Sequence, residues 1–146
     1  MQTEPILVPG IILSDMVIRE AGSNKLSLIG CFQHFFFPTF PGRTGLWYAT
    51  VGITGIRDAT SFNVTARIEV TESAHVISST NGFVEVKGVP SIEPHAVFEV
   101  PLPFNAVVFP NEARYTIVVL VDTEEVGRRR LDVIRREAPQ QTKNHD

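Results

Sequence analysis

Ser61-Phe62-Asn63-Val64-Thr65-Ala66-Arg67-Ile68-Glu69-Val70-Thr71 decides the fold. Its even positions (Phe62, Val64, Ala66, Ile68, Val70) are apolar, and its odd positions (Ser61, Asn63, Thr65, Arg67, Glu69, Thr71) are polar. Successive side chains of a strand point to opposite faces, so this segment has one greasy face and one wet face. A helix at about 3.6 residues per turn would scatter both sets around its circumference. The segment is therefore a half-buried antiparallel strand.

The same reading extends outward in both directions. Gly10 to Glu20 places Ile12, Met16 and Ile18 on one face, and Ala21-Gly22-Ser23-Asn24 is a turn signal. Leu26 to Phe37 follows as the return strand of a hairpin. Leu46 to Thr54 is rich in β-formers, and its glycines suggest a bend or bulge. Ala74 to Ser79 and Phe83 to Lys87 read as two short strands around an Asn81-Gly82 turn, because that dipeptide tolerates positive φ. In His95 to Phe104, Pro101 and Pro103 cannot donate to a ladder, so this strand is expected to lie at an edge or end early. Arg114 to Val121 is almost continuously apolar and predicts a central strand buried on both faces. Asp122 to Glu125 turns the chain, and Val126 to Arg136 returns with Leu131 and Val133 inward. About eight short strands with no helical period predict an all-β antiparallel sandwich of immunoglobulin or C2 type. A small closed β-barrel is the alternative that the same pattern permits.

Composition fits that class. The chain has 146 residues, 43% apolar and 20% charged, with a formal net charge of −3. Residues 1–137 are expected to form a single sandwich domain, and the polar stretch 138–146 a mobile C-terminal tail. Mild acidity argues against a nucleic-acid partner, since phosphate binding needs concentrated positive charge. The lone Cys31 excludes an intrachain disulfide and multi-cysteine zinc sites. The apolar run Ile6 to Leu13 is broken by Pro9 and Gly10, and no long apolar span follows, so the expected setting is cytoplasmic, away from membranes.

The order of features also carries a resemblance. Val17-Ile18-Arg19-Glu20-Ala21 ends a first strand, and a Gly/Lys turn leads to Leu26-Ser27-Leu28-Ile29-Gly30-Cys31-Phe32. Phe40-Pro41 precedes the next strand, and Phe109-Pro110-Asn111-Glu112-Ala113-Arg114-Tyr115 precedes Val121-Asp122 and Leu131-Asp132-Val133. Across residues 12–134 this resembles a widespread family of short bacterial proteins described as a domain of unknown function. Ala113 departs from the pattern, where glycine is usual. The resemblance implies a sandwich and supplies no catalytic residues.

Chemistry-bearing patterns are sparse. His34, His75, His95 and His145 lack metal-ligand spacing, and none neighbours Cys31. Cys31 falls in an apolar strand, where it is expected to act as a small buried hydrophobe. There is no nucleophile elbow and no phosphate loop, and Glu124-Glu125 sits at a hairpin tip. The aspartates are scattered, which does not suit a calcium site. The expectation is a non-enzyme with no catalytic residues, cofactor or metal.

Two features remain as candidate surfaces. Phe35, Phe36, Phe37 and Phe40 lie close in sequence to Trp47 and Tyr48. Phe36 cannot share a strand face with both neighbours, so at least one aromatic leaves the core unless the Phe40–Thr44 loop or a second subunit covers it. The second feature is an arginine set in which Arg128, Arg130 and Arg136 share a face opposite Leu131 and Val133. They either guard an edge strand with charge or contact an anion. The expected function is an interaction module that binds a protein partner or itself, with a homodimer through Phe35–Phe37 preferred. The alternative is a small-ligand or carbohydrate binder that stacks sugars on Trp47, Tyr48 and the phenylalanines.

Overall fold

The computed structural model describes residues 6–137, with side chains from residue 10 onward. The expected tail 138–146 and His145 lie outside the described residues. The elements are β1 (Ile6–Arg19), β2 (Leu26–Phe32), β3 (His34–Phe37), β4 (Gly42–Arg43), β5 (Leu46–Thr54), β6 (Ser61–Val70), β7 (Val76–Glu85), β8 (Phe98–Asn105), β9 (Val108–Phe109), β10 (Ala113–Val121) and β11 (Glu124–Arg135). They form two layers, one ordered β2-β1-β5-β8 and the other β3-β11-β10-β6-β7, with β4 and β9 as a small separate pair. Two distinct layers make this a sandwich and exclude the closed barrel.

The alternation in β6 does what it predicts. Phe62, Val64, Ala66 and Ile68 are buried and pack with Ile117, Val119 and Tyr115 of β10 in the core. β10 is central, flanked by β6 and β11, and even its outward residues Thr116 and Val118 are covered. β8 is the edge of its sheet, and its two prolines remove donors from that edge. Tyr115 is fully buried, and its hydroxyl donates to the Asn111 carbonyl at 2.8 Å. That bond is the tyrosine corner of immunoglobulin-type sandwiches. Burial pushes the Tyr115 phenol above its ordinary range, partly offset by the Asn111 bond.

Several expectations need correction. Leu26 to Phe37 is not one strand: the chain breaks at Gln33, leaves the first sheet, and joins the second as β3, parallel to β11. Asn81-Gly82 is not a turn either. It lies inside a continuous β7, with Asn81 opposite Thr65 and Gly82 opposite Val64. The physical reason is a close approach between the layers. A Cβ on Gly82 would stand 3.0 Å from Leu102 Cδ2 and 3.2 Å from Val100 Cγ1, both on β8. Asn81 is held flat by its side-chain oxygen, which accepts from Thr65 Oγ1 at 2.7 Å. The expected bulge in β5 is a register shift of β1, between Leu7 and Ile11.

At the other side of the sandwich, β1 meets β11. Arg129 points inward there and donates from one terminal nitrogen to the Ile11 carbonyl at 2.8 Å. The other terminal nitrogen donates to Gln33 Oε1, on the residue where the chain changes sheets. Burial lowers the Arg129 pKa, as it does for any cation withdrawn from water.

Candidate interaction surface

Most of the aromatic set turns inward. Trp47 is 2% exposed, stacked on Phe104 with ring centres 4.6 Å apart, and its indole N–H donates to Thr44 Oγ1. Phe35 meets Trp47 at 5.2 Å and Phe109 at 5.6 Å, and Phe37 meets Phe109 at 6.1 Å. Phe40 packs against Phe37 at 5.9 Å, so the Phe40–Thr44 loop covers Phe37 and not Phe36. Phe36 is the aromatic that leaves the core, at 42% exposure beside Ile134. His34 lies edge-on to its ring at 4.6 Å, and the Arg136 guanidinium sits 4.9 Å from the ring centre. Tyr48 is half-buried on the opposite side of the molecule, facing out from β5. The six residues are therefore not one surface. Trp47 has no exposed ring face for a sugar, and a contact through Phe35–Phe37 has only Phe36 to offer.

The arginines take the face that alternation assigns them. Arg128 and Arg130 stand on the outer face of the second sheet, level with Val118 and Thr116. β11 is not a free edge along Asp132–Arg135, because β3 pairs there. Both arginines are engaged. Arg130 reaches Asp132 at 2.6 Å, Arg114 reaches the same carboxylate at 3.4 Å, and Arg128 bonds Glu125. Arg67 and the buried Glu69 pair at 3.4 Å on β6, beyond β10. The Arg130 hydrogen bond, then its charge and Arg114, hold the Asp132 carboxyl below the usual range, and Arg128 does the same for Glu125. This face is a ladder of paired charges, and an anion would have to displace carboxylates already in place.

The outer face of the first sheet is its opposite. On β1, Ile11 and Leu13 enter the core, so Ile12, Ser14, Met16 and Ile18 face out. The face shared by Ile12, Met16 and Ile18 is the solvent side. Ile29 and Cys31 of β2 lie level with Met16 and Ser14, and Leu46, Tyr48 and Thr50 of β5 continue the surface to Pro101 and Pro103 of β8. None of these side chains is charged, and Glu99 and Glu20, which accepts from Ser27 at 3.4 Å, stand at its corners. Met16, Ile18, Ile29 and Leu46 are 44–53% exposed. At the centre the sheet is dry: Ser14 is fully buried and Thr50 is 6% exposed, with no hydrogen-bond partner for its hydroxyl. Cys31 is exposed on this side, contrary to the expectation of a buried thiol. Sequence reasoning missed the surface because its residues come from four strands, and only the sheet order brings them together.

No group of three or more metal-ligating side chains comes together among the described residues. His75 and His95 are exposed, and the His95 imidazole stands 3.6 Å from Glu93. An open groove of about 680 Å³ lies at the ends of β6, β10 and β11, lined by Thr71, Glu72, Glu112, Arg114 and Asp132. Its polar groups are largely committed, since Glu112 accepts from the Arg135 N–H and Asp132 holds two arginines. Among the described residues no helix is long and apolar enough to cross a membrane.

Comparison with known proteins adds the following. No curated protein matches the chain. A solved immunoglobulin-like protein from Pseudomonas aeruginosa is similar at 14% identity and a TM-score of 0.41, over 91% of this chain and 98% of that one. The model of a family of unknown function matches residues 10–134, which span the structure from the bulge of β1 to the end of β11. The chain belongs to that family, DUF6941.

Proposed function

We propose that the protein is a non-catalytic interaction module that engages a protein partner through the outer face of the β2-β1-β5-β8 sheet. The observation that carries this reading is the contrast between the two outer faces. One carries paired charges across its middle strands, with Phe36, Ile134 and Phe83 exposed only toward its two edges, while the other shows Met16, Ile18, Ile29 and Leu46 half exposed with no charge among them. A contiguous uncharged apolar patch marks a contact site on soluble proteins, because leaving it in water costs free energy. Cys31 and Tyr48 on this face have no acid–base partner group beside them among the described residues, which favours binding over reaction. The sugar-binding alternative is left with the half-buried Tyr48 and the exposed Phe36, on opposite faces of the molecule, as stacking platforms.

A photo-crosslinking residue placed at Ile29, compared with one at Thr65 on the charged face, tests the reading in cells. Protein adducts concentrated at position 29 support it. Equal or absent adducts at both positions overturn it.

A further inference from the structure

We infer that the free edge of β7 is a second docking site, one that takes an extended segment of another polypeptide as an added strand. The phase of the ladder identifies which groups are free. Asn63 turns both main-chain groups toward β10: its N–H donates to Asp122 Oδ1 at 3.0 Å, and its carbonyl accepts from the Asp122 N–H at 2.8 Å. The next residue, Val64, therefore turns its pair toward β7, where Gly82 stands opposite. The Val86 N–H donates to the Thr60 carbonyl at 2.8 Å and fixes the same phase. Hence Thr80, Gly82 and Val84 direct their main-chain groups to β6, while Ser79, Asn81, Phe83 and Glu85 point theirs away from it. Among the described residues, no turn or loop main-chain group bonds to those four. What complements a row of N–H and C=O groups repeating at about 6.8 Å is another strand.

The other edges are blocked. β8 lacks two donors at Pro101 and Pro103. β3 is 4 residues long, β2 is distorted at Gly30 with φ of +69°, and the part of β11 that β3 leaves bare carries Arg128, Arg129 and Arg130. Proline, shortness, local distortion and charge are the devices that keep sheet edges from pairing. β7 runs 10 residues with no proline, lysine or arginine, and its one charge, Glu85, is at the end. Its register shift lies at the Val76 end, away from the free row.

Phe83 indicates the side chain that the segment brings. Its ring is 62% exposed and stands opposite Asn63, without an apolar neighbour across the ladder. A β-branched or aromatic residue on the added strand supplies one as a cross-strand pair. A second copy of β7 does this poorly. In antiparallel self-pairing about a twofold normal to the sheet, Phe83 falls opposite Ser79, Asn81, Glu85 or the core-packed Ile77 in every register but one. The exception sets Phe83 on Phe83 and leaves only Asn81–Glu85 of β7 paired. Parallel self-pairing about an axis along the strand sends the two rings to opposite faces. A foreign segment meets the whole row and still places an apolar residue against Phe83.

Selection from a displayed library of random peptides on the full chain, with Ser79→Pro as the comparison, tests the inference. Proline there removes a donor from the free row and leaves the β6 ladder intact. Peptides enriched on the wild type should bind Ser79→Pro roughly tenfold more weakly. Methylating alternate amide nitrogens along one edge of an enriched peptide should abolish binding, and methylating those on its other edge should not. That readout does not depend on the variant's folding. Bound peptide should also slow hydrogen exchange at the amides of Ser79, Asn81, Phe83 and Glu85. Adducts at position 65, whose side chain adjoins Asn81, belong to this edge if they disappear in Ser79→Pro, which keeps them apart from the contrast at position 29. No enrichment, equal binding to Ser79→Pro with both peptide edges indifferent to methylation, or protection of amides elsewhere overturns the inference. Protection of the same four amides by concentrating the protein alone puts a second copy in place of the foreign segment and overturns it as well.

Discussion

Arg129 of β11 donates to the main-chain carbonyl of Ile11 at 2.8 Å, 118 positions away in sequence and in the other layer. The same guanidinium holds Gln33. One side chain thus closes the seam where β1, β11 and the sheet-changing residue meet. Replacing it with alanine leaves the Ile11 carbonyl in that seam without its donor, at a cost of about 1–3 kcal/mol. Urea unfolding of Arg129→Ala should show that loss, while Arg128→Ala, whose partner is an exposed Glu125, should leave the midpoint unmoved.

Tyr115→Phe removes only the hydroxyl that donates to Asn111. The expected loss is about 1 kcal/mol, or roughly 3 °C in thermal midpoint for a chain of this size. The raised phenol pKa gives the second half of the prediction. The unfolded tyrosine ionises near about pH 10 while the folded one stays neutral, so stability falls as pH rises beyond that point. Tyr115→Phe should flatten this alkaline decline, measured as midpoint against pH.

Asp132 works in the opposite direction. Its carboxyl is held low by Arg130 and Arg114, so its contribution is complete above the ordinary carboxylate pKa of about 4. The contribution fades as pH drops through the folded value, because protonation releases both arginines. The stability gap between wild type and Asp132→Asn should therefore close below about pH 4. A gap that persists unchanged in acid would contradict the assignment.

Trp47 is the single tryptophan, so its fluorescence reports one environment. With the ring buried against Phe104, acrylamide should barely quench it until urea unfolds the chain, and added glycans should not shift its emission. Efficient quenching in the native state would place the ring on the surface and return the sugar reading to contention.

Gly30 and Gly82 should behave differently on substitution by alanine. Gly30 has φ of +69°, and a Cβ there would stand 2.5 Å from Asp15 Oδ2. Its substitution should cost about 1–2 kcal/mol from backbone conformation alone. Gly82 has ordinary strand geometry, but its Cβ would press on the fully buried Leu102 and the β-branched Val100. There crowding worth about 1–3 kcal/mol outweighs a loss of unfolded-state freedom worth about 0.4–1 kcal/mol, and chemical unfolding should find Gly82→Ala destabilised.

Strand positions were legible wherever one face was wet and the other dry. Ser61–Thr71 displays that contrast outright, and the prolines of β8 announce an edge. The exit of Phe36 also follows from alternation, since its neighbours Phe35 and Phe37 take the inward side. What alternation cannot convey is which strands lie side by side. Leu26 to Phe37 is uniformly strand-like, so nothing local shows that its halves belong to different sheets. Asn81-Gly82 carries the signature of a turn, yet the glycine answers to Leu102 in the opposite layer. Ile12, Met16 and Ile18 share a face by spacing alone, and apolar spacing has the same form whether that face turns inward or outward. Arg129 sits among identical neighbours, and only its parity, opposite that of Arg128 and Arg130, separates the latch from the surface pair.

The break at Gln33 bears on how the molecule comes apart. Since one uninterrupted length of chain is stitched into both layers, neither can melt while the other survives: loosening β3 frees the border of β11, and the pull passes straight through Phe32 into β2. Partial unfolding confined to a single layer has no route around that stitch, so loss of structure should arrive as one cooperative event.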